Sequence, residues 1–262
     1  MKKSFFLVMT ALLLSVYGSF AQKRDGLALT PPMGWSSWNK FATEIDEEKI
    51  KGIVDALVET GLRDCGYVYV NLDDAWHGER DSLGFIQGDP VKFPSGMKAL
   101  GDYIHSKGLK YGIYSDAGYQ TCALYPGSRG HEFQDAQQYA NWGVDYLKFD
   151  WFRQDIVLAE GAYELMRDAL YATGRPIVFS ICEWGENHPK KWAPRIGHLW
   201  RTGGDIGAYW DVSPCHEWPI LKVIENNMRS RDYAGPDHWA DPDMLEVGNR
   251  DLTEGQNRAH FS

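Results

Sequence analysis

The feature that most constrains this chain is an alternation that begins near Met33 and runs to its last residue. A short apolar run is followed by a loop and then by a stretch with helical spacing. The runs fall at Met33–Ser36, Tyr67–Leu72, Leu109–Ser115, Val144–Phe149, Ile177–Ile181, His198–Arg201 and Trp239–Leu245. Between them the spacing predicts helices over Asp46–Thr60, up to Lys107-Gly108, over Phe133–Trp142, Ile156–Ala172 and Ile220–Met228, and from Thr253 onward. Asp46 is placed to cap the first of these, and Gly61 and Gly174 to end two of them in a left-handed turn. Short apolar strands joined by amphipathic helices make parallel sheets with right-handed crossovers. An open doubly wound sheet would carry a glycine-rich phosphate turn after its first strand, and none is present. Polar residues gather instead past the C-terminal end of nearly every run, where a (β/α)8 TIM barrel keeps its site. Seven runs do not close eight strands. The sequence is therefore expected to be a barrel cut short after about seven strands, because Ser262 falls within what reads as the seventh helix.

Composition removes several alternatives. The 262 residues carry 36 acidic against 27 basic side chains, a net charge of −9. That balance argues against a nucleic-acid partner, since phosphate binding needs basic patches. At the start, Lys2 and Lys3 precede an apolar stretch, Phe5 to Leu14, too short to span a bilayer, and Ser19-Phe20-Ala21 offers small residues for a signal peptidase. The expected organisation is a signal peptide at 1–21 and a catalytic barrel domain at 22–262, exported to the periplasm or medium and free of the membrane after cleavage. Cys65, Cys122, Cys182 and Cys215 lie far apart with no CxxC spacing, which speaks against a zinc site. They allow three pairings or none.

The chemistry concentrates at the strand ends. Asp73-Asp74 close the second run and Lys148-Phe149-Asp150 the fourth. Glu183-Trp184 follow the fifth, Arg201-Thr-Gly-Gly-Asp205 the sixth, and Asp241-Pro-Asp243 lies at the seventh. With a side-chain period of two, Lys148 and Asp150 point the same way, into the barrel mouth. A neighbouring ammonium is expected to hold Asp150 ionised, with a lowered pKa, as a carboxylate nucleophile needs. The two glycines after Arg201 are expected to let the chain turn sharply and bring Asp205 over the same mouth. Trp38, Trp76 and Trp184 are expected around it as stacking faces. Several carboxylates, one Lys, one Arg and tryptophans around one mouth suit a sugar, and a pair of carboxylates is the machinery of glycoside hydrolysis. A metal site is the rival use of clustered Asp. It is disfavoured because Lys148 and Arg201 already compensate the acids and no His stands at ligand spacing. A sugar-binding module without catalysis would keep Trp38, Asp73 and Asp74 but would not need both Asp150 and Asp205.

These motifs also resemble a known family. Gly26-Leu-Ala-Leu-Thr-Pro-Pro-Met-Gly-Trp-Ser-Ser-Trp-Asn39, Leu72-Asp-Asp-Ala-Trp76, Gly112-Ile-Tyr-Ser-Asp-Ala-Gly118, Tyr146-Leu-Lys-Phe-Asp150, Cys182-Glu-Trp-Gly185, Trp200-Arg-Thr-Gly-Gly-Asp-Ile206 and Asp241-Pro-Asp-Met-Leu-Glu-Val-Gly-Asn249 look like the α-galactosidases of glycoside hydrolase family 27, the melibiases. The likeness runs from Gly26 to the end. It implies retaining chemistry without a cofactor on a terminal α-D-galactose, with Asp150 as nucleophile and Asp205 as general acid/base. It also implies a substrate pocket of Trp38, Asp73, Asp74, Tyr114, Cys122, Lys148, Glu183, Trp184, Arg201 and Asp243. Within it Asp73 and Asp74 would take the O4 and O6 hydroxyls, and Glu183 and Arg201 would sit near O2. Asp205 should start the cycle protonated, its pKa raised by Asp150. The resemblance further implies an eighth strand, its helix and a C-terminal β domain after Ser262, so the 262-residue chain alone is expected to fold poorly. Phe152 stands where relatives carry the cysteine that pairs with the one matching Cys122, so free thiols are expected. Phe152 beside Trp151 also leaves a β-L-arabinopyranoside open as substrate.

Overall fold

The computed structural model describes residues 23–155, 157–250 and 252–261. The expected signal peptide lies outside the described residues, as does Ile156, the expected start of one helix. In chain order the strands are β1 (Gly34–Ser36), β2 (Tyr69–Leu72), β3 (His77–Arg80), β4 (Ile86–Gly88), β5 (Lys110–Asp116), β6 (Tyr146–Asp150), β7 (Val178–Ile181), β8 (Leu199–Arg201) and β9 (Trp239–Asp241). Seven of them form one parallel sheet in the order β1-β2-β5-β6-β7-β8-β9, matching the seven apolar runs. The antiparallel hairpin of β3 and β4 was not legible, because His77-Gly-Glu-Arg80 shows no apolar alternation. What permits it is a missing side chain: a Cβ on Gly78 would stand 2.6 Å from the Gly88 carbonyl oxygen.

Helices occupy the crossovers at Glu47–Glu59, Met97–Ser106, Glu132–Trp142, Ala159–Ala172 and Ile220–Met228, and a further helix spans Glu254–Phe261. Local chemistry sets their ends. The Asp46 carboxylate accepts the Lys49 N–H at 2.7 Å, and Gly61 follows the same helix at φ +78°. Thr253 and Gln256 cap each other reciprocally at the start of the last helix.

The sheet is curled. Trp239 on one outer strand donates its indole N–H to the Ala28 carbonyl, 2.7 Å away, just ahead of the opposite outer strand. Alternation then sorts side chains to two faces. Val70, Leu72, Ile113, Leu147, Phe149, Phe179, Ile181 and Trp200 pack into the layer between sheet and helices. Each fully buried apolar side chain of this kind stabilises the fold by ~1.5–3 kcal/mol. Tyr69, Tyr146, Val178 and Leu199 form a separate apolar floor inside the curl, sealed below by Leu27, Ala28 and Trp239. Two residues further along the same strand faces, that floor gives way to Lys148 and Arg201. The site therefore rests on an apolar plug and opens at the C-terminal ends of the strands.

Candidate active site

A cavity of about 460 Å³ opens at that end. Its wall brings together Trp38, Asp73, Asp74, Tyr114, Cys122, Lys148, Asp150, Arg201, Asp205 and Asp243. These come from segments that follow or end β1, β2, β5, β6, β8 and β9. Three expected residues, Glu183, Trp184 and Trp76, are not in the wall. The Glu183 carboxylate is turned into its own loop, where it accepts N–H groups from Gly185 and Asn187 and the Asn187 side-chain amide. Trp184 packs edge-on against Phe152 at 4.7 Å, and Phe152 itself lines the cavity. Trp76 departs from expectation too. It is 0% exposed and donates its indole N–H to the Tyr114 carbonyl at 2.9 Å, so it belongs to the core under the site and not to the mouth.

The charges pair in a pattern that sequence spacing did not reveal. Lys148 Nζ meets Asp73 Oδ2 at 2.8 Å. Asp150 instead receives the Tyr114 O–H at 2.9 Å and the Trp151 N–H at 3.0 Å. Burial pushes Asp150 up to about 6; Lys148 opposes this, while Asp205 and Asp73 reinforce it. The expected lowering of Asp150 is thus corrected: Lys148 does pull it down, but burial outweighs that pull, and the ammonium bonds directly to a different carboxylate. Arg201 Nη2 lies 3.1 Å from Asp205 Oδ1 and 2.9 Å from Asp243 Oδ2. Burial works to raise Asp205 as well, but Arg201 and Lys148 outweigh it and hold its carboxyl below the usual range. In the free protein the order of the two acids is therefore the reverse of the one expected. The Asp205 side chain remains 52% exposed, so covering it with a bound sugar would remove the solvent that helps keep it ionised.

Local packing explains how these groups are held. The Ser37 hydroxyl accepts the Asp73 N–H at 2.9 Å. Asp74 accepts from Ala75 and Ala123 at 2.7 and 2.8 Å, tying the loop that carries Cys122 to β2, and burial nevertheless raises its pKa. Gly203 and Gly204 are needed for a reason other than turning freely. Cβ atoms there would stand 2.6 and 2.9 Å from the Trp218 ring, and Trp218 returns its backbone N–H to the Asp205 carbonyl at 2.6 Å. Asp243 sits at φ +88°, a left-handed conformation that costs a non-glycine residue ~1–3 kcal/mol and that its Arg201 contact helps to hold. All four cysteines are free, and burial with Asp150 and Asp74 nearby pushes the Cys122 thiol up to about 11. Among the described residues no group of three His, Cys, Asp or Glu side chains is arranged to hold a metal ion. Sequence reading missed Glu217, Glu246 and Arg250 in the wall. Glu217 and Arg250 lie in segments without strand or helix pattern and nothing in their spacing marks them, while Glu246 stands inside the Asp241–Asn249 motif but was given no role.

A polar, acid-rich cavity at the C-terminal mouth of a curled parallel sheet, with seven carboxyl side chains in its wall, has the architecture of a glycoside-hydrolase barrel. Residues 30–262 match the family model described as Melibiase_2, Alpha galactosidase A, and the chain belongs to that family. An α-galactosidase A from Cellvibrio japonicus is 54% identical over 259 residues, covering 97% of this chain and 64% of that protein. The solved structure of a Saccharomyces cerevisiae α-galactosidase with raffinose is similar with a TM-score of 0.87 at 38% identity, covering 90% of this chain and 57% of that one. A β-L-arabinopyranosidase from Geobacillus stearothermophilus is more distant, at 26% identity and a TM-score of 0.72, covering 84% of this chain and 62% of that one. The chain spans roughly three fifths of the length of these relatives.

Proposed function

We propose that this protein hydrolyses terminal, non-reducing α-D-galactosides by double displacement with retention. One observation carries the reading. Asp150 and Asp205 stand in the wall of one cavity, one buried against the strand layer and the other open to solvent. Asp150 attacks the anomeric carbon as the bond to the leaving oxygen breaks, and Asp205 gives that oxygen its proton. The galactosyl ester on Asp150 is then attacked by water, which Asp205 deprotonates. Galactose leaves with its original anomeric configuration, and both carboxyls return to their starting states. Asp73, Asp74 and Lys148 offer the acceptors and donor for hydroxyls deep in the cavity, and Trp38 a flat face at its rim. The relative solved with raffinose supports a galactose-terminated oligosaccharide as substrate. We also propose that residues 1–21 are a signal peptide and that the protein is exported.

The test compares p-nitrophenyl α-D-galactopyranoside with the β-L-arabinopyranoside, on wild type and Asp150→Asn. Faster release from the galactoside, reduced by about 10⁴-fold or more in the variant, is expected. An active Asp150→Asn protein refutes the mechanism, and faster arabinoside cleavage would move the specificity.

A further inference from the structure

Asp116, the last residue of β5, is fully buried and does not line the cavity, and the mechanism above does not use it. It stands directly opposite Asp150 in the β5–β6 register. Its two carboxyl oxygens accept backbone N–H groups, one from Gly118 at 2.6 Å and one from Phe152 at 2.9 Å. The first is a local turn of a kind common at aspartates. The second is not local, for it reaches across to the second residue after Asp150. The same junction is closed by the Ala117 N–H on the Asp150 carbonyl, 3.0 Å, and by the contact of Gly118 with the Phe152 carbonyl, where a Cβ would stand at 1.8 Å.

The consequence reaches the attacking group through two peptide planes. One oxygen of Asp150 is held by the N–H of Trp151, so the tilt of that peptide helps set the tilt of the carboxylate. The next N–H, that of Phe152, is held by Asp116. We infer that Asp116 is a positioning residue, a clamp that fixes the turn after Asp150 and with it the attitude of the Asp150 carboxylate. This inference rests on the proposed role of Asp150. Asn in its place presents one acceptor oxygen and an NH₂ group that confronts the other N–H, so the clamp is lost at nearly constant volume.

The experiment is Asp116→Asn in the full chain, read by hydrogen exchange and by kinetics on p-nitrophenyl α-D-galactopyranoside. Amides in 150–155 should exchange faster by about tenfold or more while those of β2 and β7 keep their wild-type rates. The kcat should fall by about 10- to 100-fold with KM within about threefold, the signature of misplacement and not of lost binding. Unchanged exchange at 150–155, or a kcat within about twofold of wild type in a protein with measurable turnover, overturns the inference. A wild type that cleaves no galactoside overturns the galactosidase reading alone, and the exchange result still decides the clamp. Should the variant fail to fold, the wild-type Phe152 amide serves: it should exchange as slowly as the amides of β6, and rapid exchange there overturns the clamp.

Discussion

Replacing Tyr114 by Phe removes one oxygen and isolates the electrostatics of the acid pair. The Tyr114 hydroxyl donates to Asp150 Oδ2 at 2.9 Å, and both groups are buried. A hydrogen bond to a charged group contributes ~1.5–3 kcal/mol, which corresponds to about 1–2 in pKa. Loss of the donor disfavours the anion, so the Asp150 pKa rises from about 6 to roughly 7–8. With Asp150 raised by burial and Asp205 held below the usual carboxylate range by Arg201 and Lys148, the last proton of the free pair resides on Asp150. Double displacement requires that proton on Asp205. In wild type kcat/KM should therefore decline as pH rises through about 6, where the pair loses its only proton. In Tyr114→Phe the decline should move up to roughly pH 7–8. The plateau below it should drop by about 10- to 100-fold, because the productive placement of the proton becomes rarer by the same factor. Quenched assays of p-nitrophenol release from pH 4 to 9 measure both quantities. A decline that stays put or moves down, or a wild-type activity that rises through pH 6, would refute this assignment of the proton.

Lys148→Met should destabilise the fold by ~3–5 kcal/mol, since it strips the partner from buried Asp73, and should raise KM more than Tyr114→Phe does; chemical denaturation and steady-state kinetics check the two effects. Stability should be greatest near pH 4 and fall from there toward pH 8, because three raised carboxyls outweigh one lowered histidine. Asp116, Glu183 and Asp150, raised to about 8, 7 and 6, hold protons that the unfolded chain has released above about pH 4, so stability is lost as pH climbs through these values. Buried His77, lowered to about 3, stays neutral where the unfolded chain takes up a proton, and between about pH 3 and 6.5 this offsets about one of those three protons. Melting curves across pH 4–9 decide it, and a midpoint still climbing at pH 8 would contradict the burial of these carboxyls.

The strands were legible because a parallel strand covered on both faces needs an unbroken apolar run, and the helices because Asp46, Gly61 and Thr253 mark ends by local backbone chemistry. The mouth was legible for a similar reason. Period two alone sends Lys148 and Asp150 to one face, and a polar residue just past a barrel strand stands near the C-terminal mouth. Partner choice was not legible. Lys148 engages Asp73, which is 75 residues away, and not Asp150 two residues along its own strand. That choice follows from the distance between two strand ends once the sheet has curled. Glu183, adjacent to a strand end like the others, is captured by the N–H groups of its own loop, and Trp76 is drawn under the floor of the site by the Tyr114 carbonyl. Asp116 reads in the sequence as an ordinary turn former, and only the β5–β6 register shows that it also holds the chain beyond Asp150. Sequence determined where the strands end and that Lys148 and Asp150 share a face there, since backbone periodicity is a local property. Tertiary structure decided which charges compensate which, and so where the proton resides, because Coulomb energy and desolvation depend on through-space distances and burial that no spacing along the chain encodes.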